Sequence, residues 1–194
     1  MEITRGATVD DVRLDGVDLS GRDLTDSRFL ECALIACTLD DVTLTGARLV
    51  DTDWEDVRGT AVSLKNASIL GGTWTDLRAG ALTAPGASVT RLSIVGGRID
   101  HLSLRGAKVD GLHLDGVTIG DLDLAGATVT RLRTRGTTIR RLDVDEARLK
   151  DVDLRGVDLA EVDGAAGLRG ATVSTAQLHG LAGGMAAALG IKLG

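Results

Sequence analysis

The chain has 194 residues, with 22 Lys and Arg against 28 Asp and Glu for a formal net charge of −6, and 43% of its residues are hydrophobic. Only two Trp, one Phe and no Tyr are present, so the core must be aliphatic, and net acidity with so few aromatics argues against direct nucleic-acid binding. No apolar run approaches the roughly 20 residues of a membrane span, and Met1–Asp10 lacks a signal-peptide core, so a cytoplasmic protein with no membrane contact is expected.

From the N-terminus onward the sequence keeps a five-residue frame. Taking residues 9, 14, 19 and so on to 159 as centres gives 31 pentads, of which 27 have Leu, Ile, Val, Phe or Trp at the centre. The exceptions are Gly59, Ala79, Ala84 and Thr134. A second restricted position, two residues before each centre, takes small or aliphatic residues except at Arg22, which predicts a loosened first coil. Cys32 and Cys37 occupy this inward position, so they read as buried thiols rather than a disulfide framework. Two inward residues in every five fit neither the 3.6 period of a helix nor the 2 period of a strand. They fit a chain that turns a corner at each pentad and stacks on itself as a solenoid. Glycine stands at 12 of the 31 positions two residues after a centre, where a tight turn favours a permissive backbone.

The frame is cleanest from Arg91 to Ala160, and weakest around Gly59 and from Thr75 to Ser88, where centres shrink and Pro85 appears. That stretch predicts a weakened, bulged region inside one continuous repeat. The frame slips at Gly164–Gly167, and residues 1–168 are expected to form the repeat, with 169–194 a terminal cap. Ser174 or Thr175 should cap a helix that carries Leu178, Leu181, Met185 and Leu189 on one side and ends at Gly190. Ile191 and Leu193 then alternate like a short strand. Such a segment would cover the open edge of the last coil.

The segments VDLSG from Val17, RDLTD from Arg22, LDLAG from Leu122, VDLRG from Val152 and VDLAE from Val157 resemble the pentapeptide-repeat family, whose pattern is A(D/N)LXX. The resemblance spans about residues 7 to 162. It implies an all-β fold, a right-handed quadrilateral parallel β-helix of about 7–8 coils with four pentads each, closed by the short C-terminal helix. At about 4.8 Å per coil the rod would be roughly 37 Å long. Residues 20 apart then become vertical neighbours: Trp54 and Trp74 should stack in the core, and Leu30, Val50 and Leu70 should form an exposed apolar stripe, a candidate contact surface.

No phosphate loop, nucleophile elbow, GxGxxG turn or zinc spacing occurs, and His101, His113 and His179 fall in unrelated columns. No catalytic, cofactor-binding or metal-ligating residue is therefore assigned. Paired carboxylates on a convex rod have no cleft to desolvate them, so an enzyme is not expected. Charge is more telling. Residues 1–56 hold five Arg and 14 Asp or Glu, net −9, whereas residues 57–194 hold 17 Lys or Arg and 14 Asp or Glu, net +3. Asp10, Asp11, Asp15, Asp18, Asp40, Asp41, Asp51, Asp53, Glu55 and Asp56 form the candidate partner-binding surface, opposed by Arg131, Arg133, Arg135, Arg140 and Arg141 in what should be a bipolar rod. Over its roughly 13 Å the acidic arm carries about one charge per 1.5 Å, close to the 1.7 Å of duplex DNA, but the whole rod carries only about one per 6 Å. The resemblance to quinolone-resistance members, closer to the mycobacterial than to the loop-bearing plasmid type, implies DNA gyrase or topoisomerase IV as partner and a homodimer through the C-terminal segment. The alternative is a scaffold for another protein partner.

Overall fold

Five residues are too few to bury a face alone, so each pentad takes backbone partners from the coils before and after it. The computed structural model describes residues 3–188 and 190–191, and it is a parallel β-solenoid of about eight turns with a single C-terminal helix. Pairing steps by twenty residues up to the last coil: Thr8 lies beside Arg28, Arg28 beside Arg48, and Arg48 beside Ser68. A 14-stranded sheet covers two adjacent sides and a 7-stranded sheet covers the other two. Every pentad centre is buried except Gly59, Thr134 and Leu159, which are half-buried. Trp54 and Trp74 pair in register and their rings stack at 4.2 Å between centroids, with 10° between planes.

The corners explain the glycine phase and more. Most corner residues take a left-handed backbone, and besides glycine these include Asp11, Asp41, Asp51, Asp56, Asn66, Asp76 and Asp151, residue types that tolerate this region better than other side chains. At Gly71 and Gly96 the space a Cβ would fill is taken by the Asp51 and Asp76 carboxylates of the preceding coil.

The inward position before each centre also has a polar use. The Thr52 hydroxyl donates to the Phe29 carbonyl (3.2 Å), that of Thr137 to Leu114 (3.0 Å), and the Cys32 and Cys37 thiols to Val9 and Leu14 (both 3.4 Å). Both cysteines are free and buried, and burial pushes the Cys37 thiol pKa up.

Two sequence expectations need correction. The stretch around Gly59 and from Thr75 to Ser88 is not weakened: Arg58–Ser63 and Arg78–Thr83 are unbroken strands in full register. Here the chain crosses the corner at Ala61 and Ala81 extended, without the left-handed turn. The small centre reflects close backbone approach, since a Cβ on Gly59 would lie 2.7 Å from the Leu39 carbonyl oxygen. Pro85 occupies the position after a centre whose equivalents at Thr25, Ala125 and Asp145 direct their N–H to a side chain of their own coil. Its missing N–H therefore costs the ladder nothing, and its carbonyl still accepts from Asn66 (2.9 Å). Nor does Arg22 loosen the first coil, because Asp18 still pairs with Thr38 and Asp23 with Thr43. The Arg22 guanidinium donates to the Ile3 carbonyl (3.2 Å).

After a 3-10 turn at Ala165–Leu168 the register slips by one residue, so that Val152 pairs with Ala171 and Asp153 with Thr172. Helix Thr175–Ala188 follows, and its start is a reciprocal capping box: Ser174 Oγ accepts the Gln177 N–H (3.2 Å) while Gln177 Oε1 accepts the Ser174 N–H (2.7 Å). Gln177 Nε2 also donates to the Leu154 (2.7 Å) and Val157 (2.8 Å) carbonyls of the last coil. The row facing the coil is therefore Gln177, buried Leu181 and half-buried Met185, one residue in four. That turns Leu178 outward, 43% exposed, contrary to the expected shared side. Gly190 closes the helix with a left-handed turn, its N–H bonded to Ala187 and that of Ile191 to Ala186. Ile191 is 55% exposed and in no strand, and Leu189 and Leu193 lie outside the described residues.

Candidate functional site

Four pentads per coil distribute the acidic residues over four sides, and register decides which of them meet. Asp10 lies in the column of Leu30 and Val50, and the corner just beyond it carries Asp11, Glu31 and Asp51, one above another. The next side presents Asp15 in the column of Ile35 and Glu55, and Asp53 in the column of Arg13 and Ala33. Asp56 stands at its far corner. Seven of the predicted residues, Asp10, Asp11, Asp15, Asp51, Asp53, Glu55 and Asp56, thus share one side and its borders. Glu31 and Asp76 join them, and the 20-residue spacing would have found both. Asp18 and Asp40 lie on the following side, with Asp41 at the corner after it, away from this group.

Turn chemistry accounts for part of the acidity. A carboxylate just before a centre accepts the N–H just after it, as Asp18 does from Ser20 (2.9 Å), Asp23 from Thr25 (3.0 Å), Asp123 from Ala125 (2.9 Å) and Asp153 from Arg155 (3.1 Å). This is the physical content of the D-L pair in the repeat. Asp40 and Asp53 reach the next coil instead, each accepting a backbone N–H at 2.7 Å, from Thr60 and Thr73. These bonds hold the carboxylates still. Hydrogen bonds from Ser20 and Thr25 pull the pKa of Asp18 and Asp23 down. Those from Arg155 bring the Asp153 carboxyl from 3.8 to about 2. A folded pKa below the unfolded one stabilises the fold above the unfolded value and loses that contribution as pH falls through the folded value. The urea midpoint should therefore fall between about pH 4 and pH 2. Asp153→Asn keeps the turn acceptor but not the charge, and should flatten part of that fall; an unchanged profile would remove Asp153 from the cause.

The basic cluster is paired locally, while the net charges of the two parts of the chain stay as counted. Arg131 pairs with Asp110 (2.6 Å), Arg135 with Asp115, Arg140 with Asp121 (3.0 Å) and Arg141 with Asp163 (2.5 Å), while Arg133 Nη1 donates to backbone carbonyls including Leu132 (3.1 Å). Acidic partners one coil away neutralise the basic cluster, because cross-coil neighbours come 20 residues apart. On the acidic side the opposite holds. Among the described residues Asp10, Asp11, Glu31, Asp51, Asp53, Glu55, Asp56 and Asp76 make no ion pair, and Asp15 meets only Arg13, at 3.7 Å. Sequence reading also missed Arg58, Arg78 and Arg98, exposed in one column on the following side. Leu30, Val50 and Leu70 do align vertically, but half-buried rather than exposed.

Residues 13–49 match the family model of pentapeptide repeats, in 8 copies, and the same register continues through the later coils. That stretch is a run of pentapeptide repeats. Its sequence matches no curated protein. Among solved structures, this chain is similar to HetL, a pentapeptide repeat protein involved in heterocyst differentiation regulation from the cyanobacterium Nostoc sp. strain PCC 7120. The identity is 15%, over 82% of this chain and 86% of that one, with a TM-score of 0.38. It is also similar to full-length QnrB1, a plasmid-mediated fluoroquinolone resistance protein, at 17% identity over 97% of this chain and 92% of that one, with a TM-score of 0.32. A trypsin-treated form of QnrB1 shares 21% identity over 100% and 94%, with a TM-score of 0.38. Likeness at this level carries no function from either protein to this chain. Among its described residues no group of three or more His, Cys, Asp or Glu is arranged to hold a metal ion, and no helix is long and apolar enough to cross a membrane.

Proposed function

We propose that the protein is a non-enzymatic binding rod whose acidic side occupies the DNA-binding groove of a DNA-handling enzyme, with DNA gyrase or topoisomerase IV as the target. The observation that carries this reading is the concentration of unpaired carboxylates on one side of the N-terminal coils, opposite in kind to the self-neutralised charges further along. The corner ladder Asp11, Glu31, Asp51 rises about 4.8 Å per carboxylate, comparable with about 3.4 Å of axis per phosphate along one DNA strand. Left-handed corners fix the backbone that carries Asp11, Glu31, Asp51 and Asp56, and the Thr73 N–H holds Asp53, so competition with duplex needs little backbone reordering and weakens as salt is added. As part of the same proposal, two rods associate through the C-terminal segment, a reading supported by the exposure of Leu178 and Ile191.

A supercoiling assay with purified gyrase tests the target. Asp51→Asn, Asp53→Asn, Glu55→Gln and Asp56→Asn together remove four charges and keep the turn acceptors. Inhibition should weaken by about ten-fold or more, since each lost charge contact contributes on the order of 1 kcal/mol. Asp18→Asn with Asp40→Asn, on another side, should change little. Equal inhibition by wild type and the fourfold variant, or none by either, ends the reading. The second reading, a scaffold using the Leu30, Val50 and Leu70 column, is favoured by its vertical alignment. It is the contact if Leu30→Glu with Leu70→Glu removes the effect while the fourfold variant retains it.

A further inference from the structure

Arginine is an unexpected occupant of a left-handed corner, because its Cβ crowds the following carbonyl. Among the described corners, Arg91 and Arg131 are the two basic residues in that conformation, with φ of 54° and 55°. Both belong to one column, and Gly111 lies between them: Thr90, Asp110 and Thr130 pair in series just before the corner, and Leu92, Leu112 and Leu132 just after it. The missing side chain leaves a surface hollow of about 310 Å³ lined by Arg91, Ser93, Gly111, His113 and Arg131. Ser93 and His113 are themselves vertical neighbours on the adjoining side. No carboxylate lines the hollow.

Its arginines are not spent on each other's coils. Arg91 makes no ion pair among the described residues. Arg131 engages Asp110 through Nε (2.7 Å) and Nη2 (2.6 Å), which leaves Nη1 uncommitted. Nor does packing require glycine at the gap. A Cβ on Gly111 would meet nothing closer than 3.6 Å, and the same column accepts Asp11, Glu31 and Asp51 in left-handed form. The hollow is open because position 111 has been left empty.

We propose that this hollow binds a tetrahedral oxyanion, phosphate or the terminal phosphate of a monoester, clamped by Arg91 and Arg131 from the coils on either side of Gly111. His113 and Ser93 supply further donors from the adjoining side. Two guanidiniums two coils apart, about 10 Å at the backbone, suit an anion with acceptors in several directions, which each can approach with paired N–H groups. The hollow lies on the same corner and side as Asp11, Glu31, Asp51 and Asp53, two coils further along the rod than Asp51.

Amide chemical shifts of the full chain, followed in phosphate at constant ionic strength with chloride as balance, test it. Saturable shifts should appear at Arg91, Ser93, Gly111, His113 and Arg131, with a dissociation constant on the order of 1 mM. Phenyl phosphate binding equally well assigns the site to monoesters as well as the free ion, and phosphate alone assigns it to the free ion. Arg91→Gln should weaken binding about ten-fold, the scale of one lost charge-assisted contact. Gly111→Asp, with a residue the column already accommodates, should abolish it. Arg58→Gln, an equally exposed arginine elsewhere, should leave it unchanged. Shifts that never saturate, that spread equally over the Arg58 and Arg78 column, or that survive Arg91→Gln overturn the proposal. Arg91→Gln changes only an exposed side chain, so the test stands even if Gly111→Asp fails to fold.

Discussion

Trp74→Ala should lower the unfolding free energy by about 3–5 kcal/mol, the range for emptying a large aromatic site in a packed core. Trp54 and Trp74 are each 1% exposed and stack on one another, so the cavity left by one strips the other of its partner. In a solenoid each coil touches only its neighbours, so the loss falls on two adjacent coils rather than being shared over the rod. Urea unfolding followed by circular dichroism measures it, and a loss under about 1 kcal/mol would mean that the coils close over the gap. The two tryptophans should differ under milder change. Trp74 Nε1 donates to the Thr52 carbonyl (3.3 Å), whereas Trp54 Nε1 is buried with no partner among the described residues. Trp54→Phe therefore removes an unsatisfied donor and should cost less than Trp74→Phe, which leaves the Thr52 carbonyl without that bond.

Gly97→Ala should cost about 3 kcal/mol, from roughly 1–2 kcal/mol for a side chain in a left-handed backbone and 1–3 kcal/mol for overpacking. Gly97 has φ of 77°, and a Cβ there would overlap the Leu77 carbonyl oxygen and lie 2.7 Å from the Leu77 nitrogen of the coil before. Main chain cannot swing aside as a flexible side chain can, so the two coils must separate. Gly106→Ala isolates the first contribution: its φ is 63° but no atom comes within 4 Å. It should cost only about 1–2 kcal/mol. Equal urea midpoints for the two variants would show that the close approach at Gly97 carries no energy.

The column logic was legible in the sequence because pairing by twenty residues is exact over most of the rod: Trp54 beside Trp74, and Leu30 beside Val50, follow from arithmetic alone. Local departures were not legible. Gly59 looked like a weak centre because a shrunken side chain reads as lost packing, whereas it sits in an unbroken strand at a point where a Cβ would lie 2.7 Å from the Leu39 carbonyl oxygen. Leu178 seemed to belong with Leu181 because both are aliphatic, but the docking row begins at Gln177, whose amide is worth more to the last coil's open carbonyls than another leucine. The acidic site was half readable. Composition showed where carboxylates are dense, but charge counted along the chain cannot say which side they face or what neutralises them. Asp18 and Asp40 left the group for the first reason, and the acidic partners of Arg131, Arg135, Arg140 and Arg141 went unnoticed for the second. Applying the spacing of twenty to charged residues as well as apolar ones would have paired Asp115 with Arg135 and stacked Arg58, Arg78 and Arg98.

The Gln177 clamp has a bearing on self-association. A finished coil offers a row of free backbone groups at the same pitch as the coil below, which is a template for any strand of like geometry, including one from a second molecule. With the Leu154 and Val157 carbonyls already engaged and a helix laid across them, that template is closed at this end. A further strand cannot pair at these two carbonyls without displacing Gln177, which works against end-to-end growth of the sheet here.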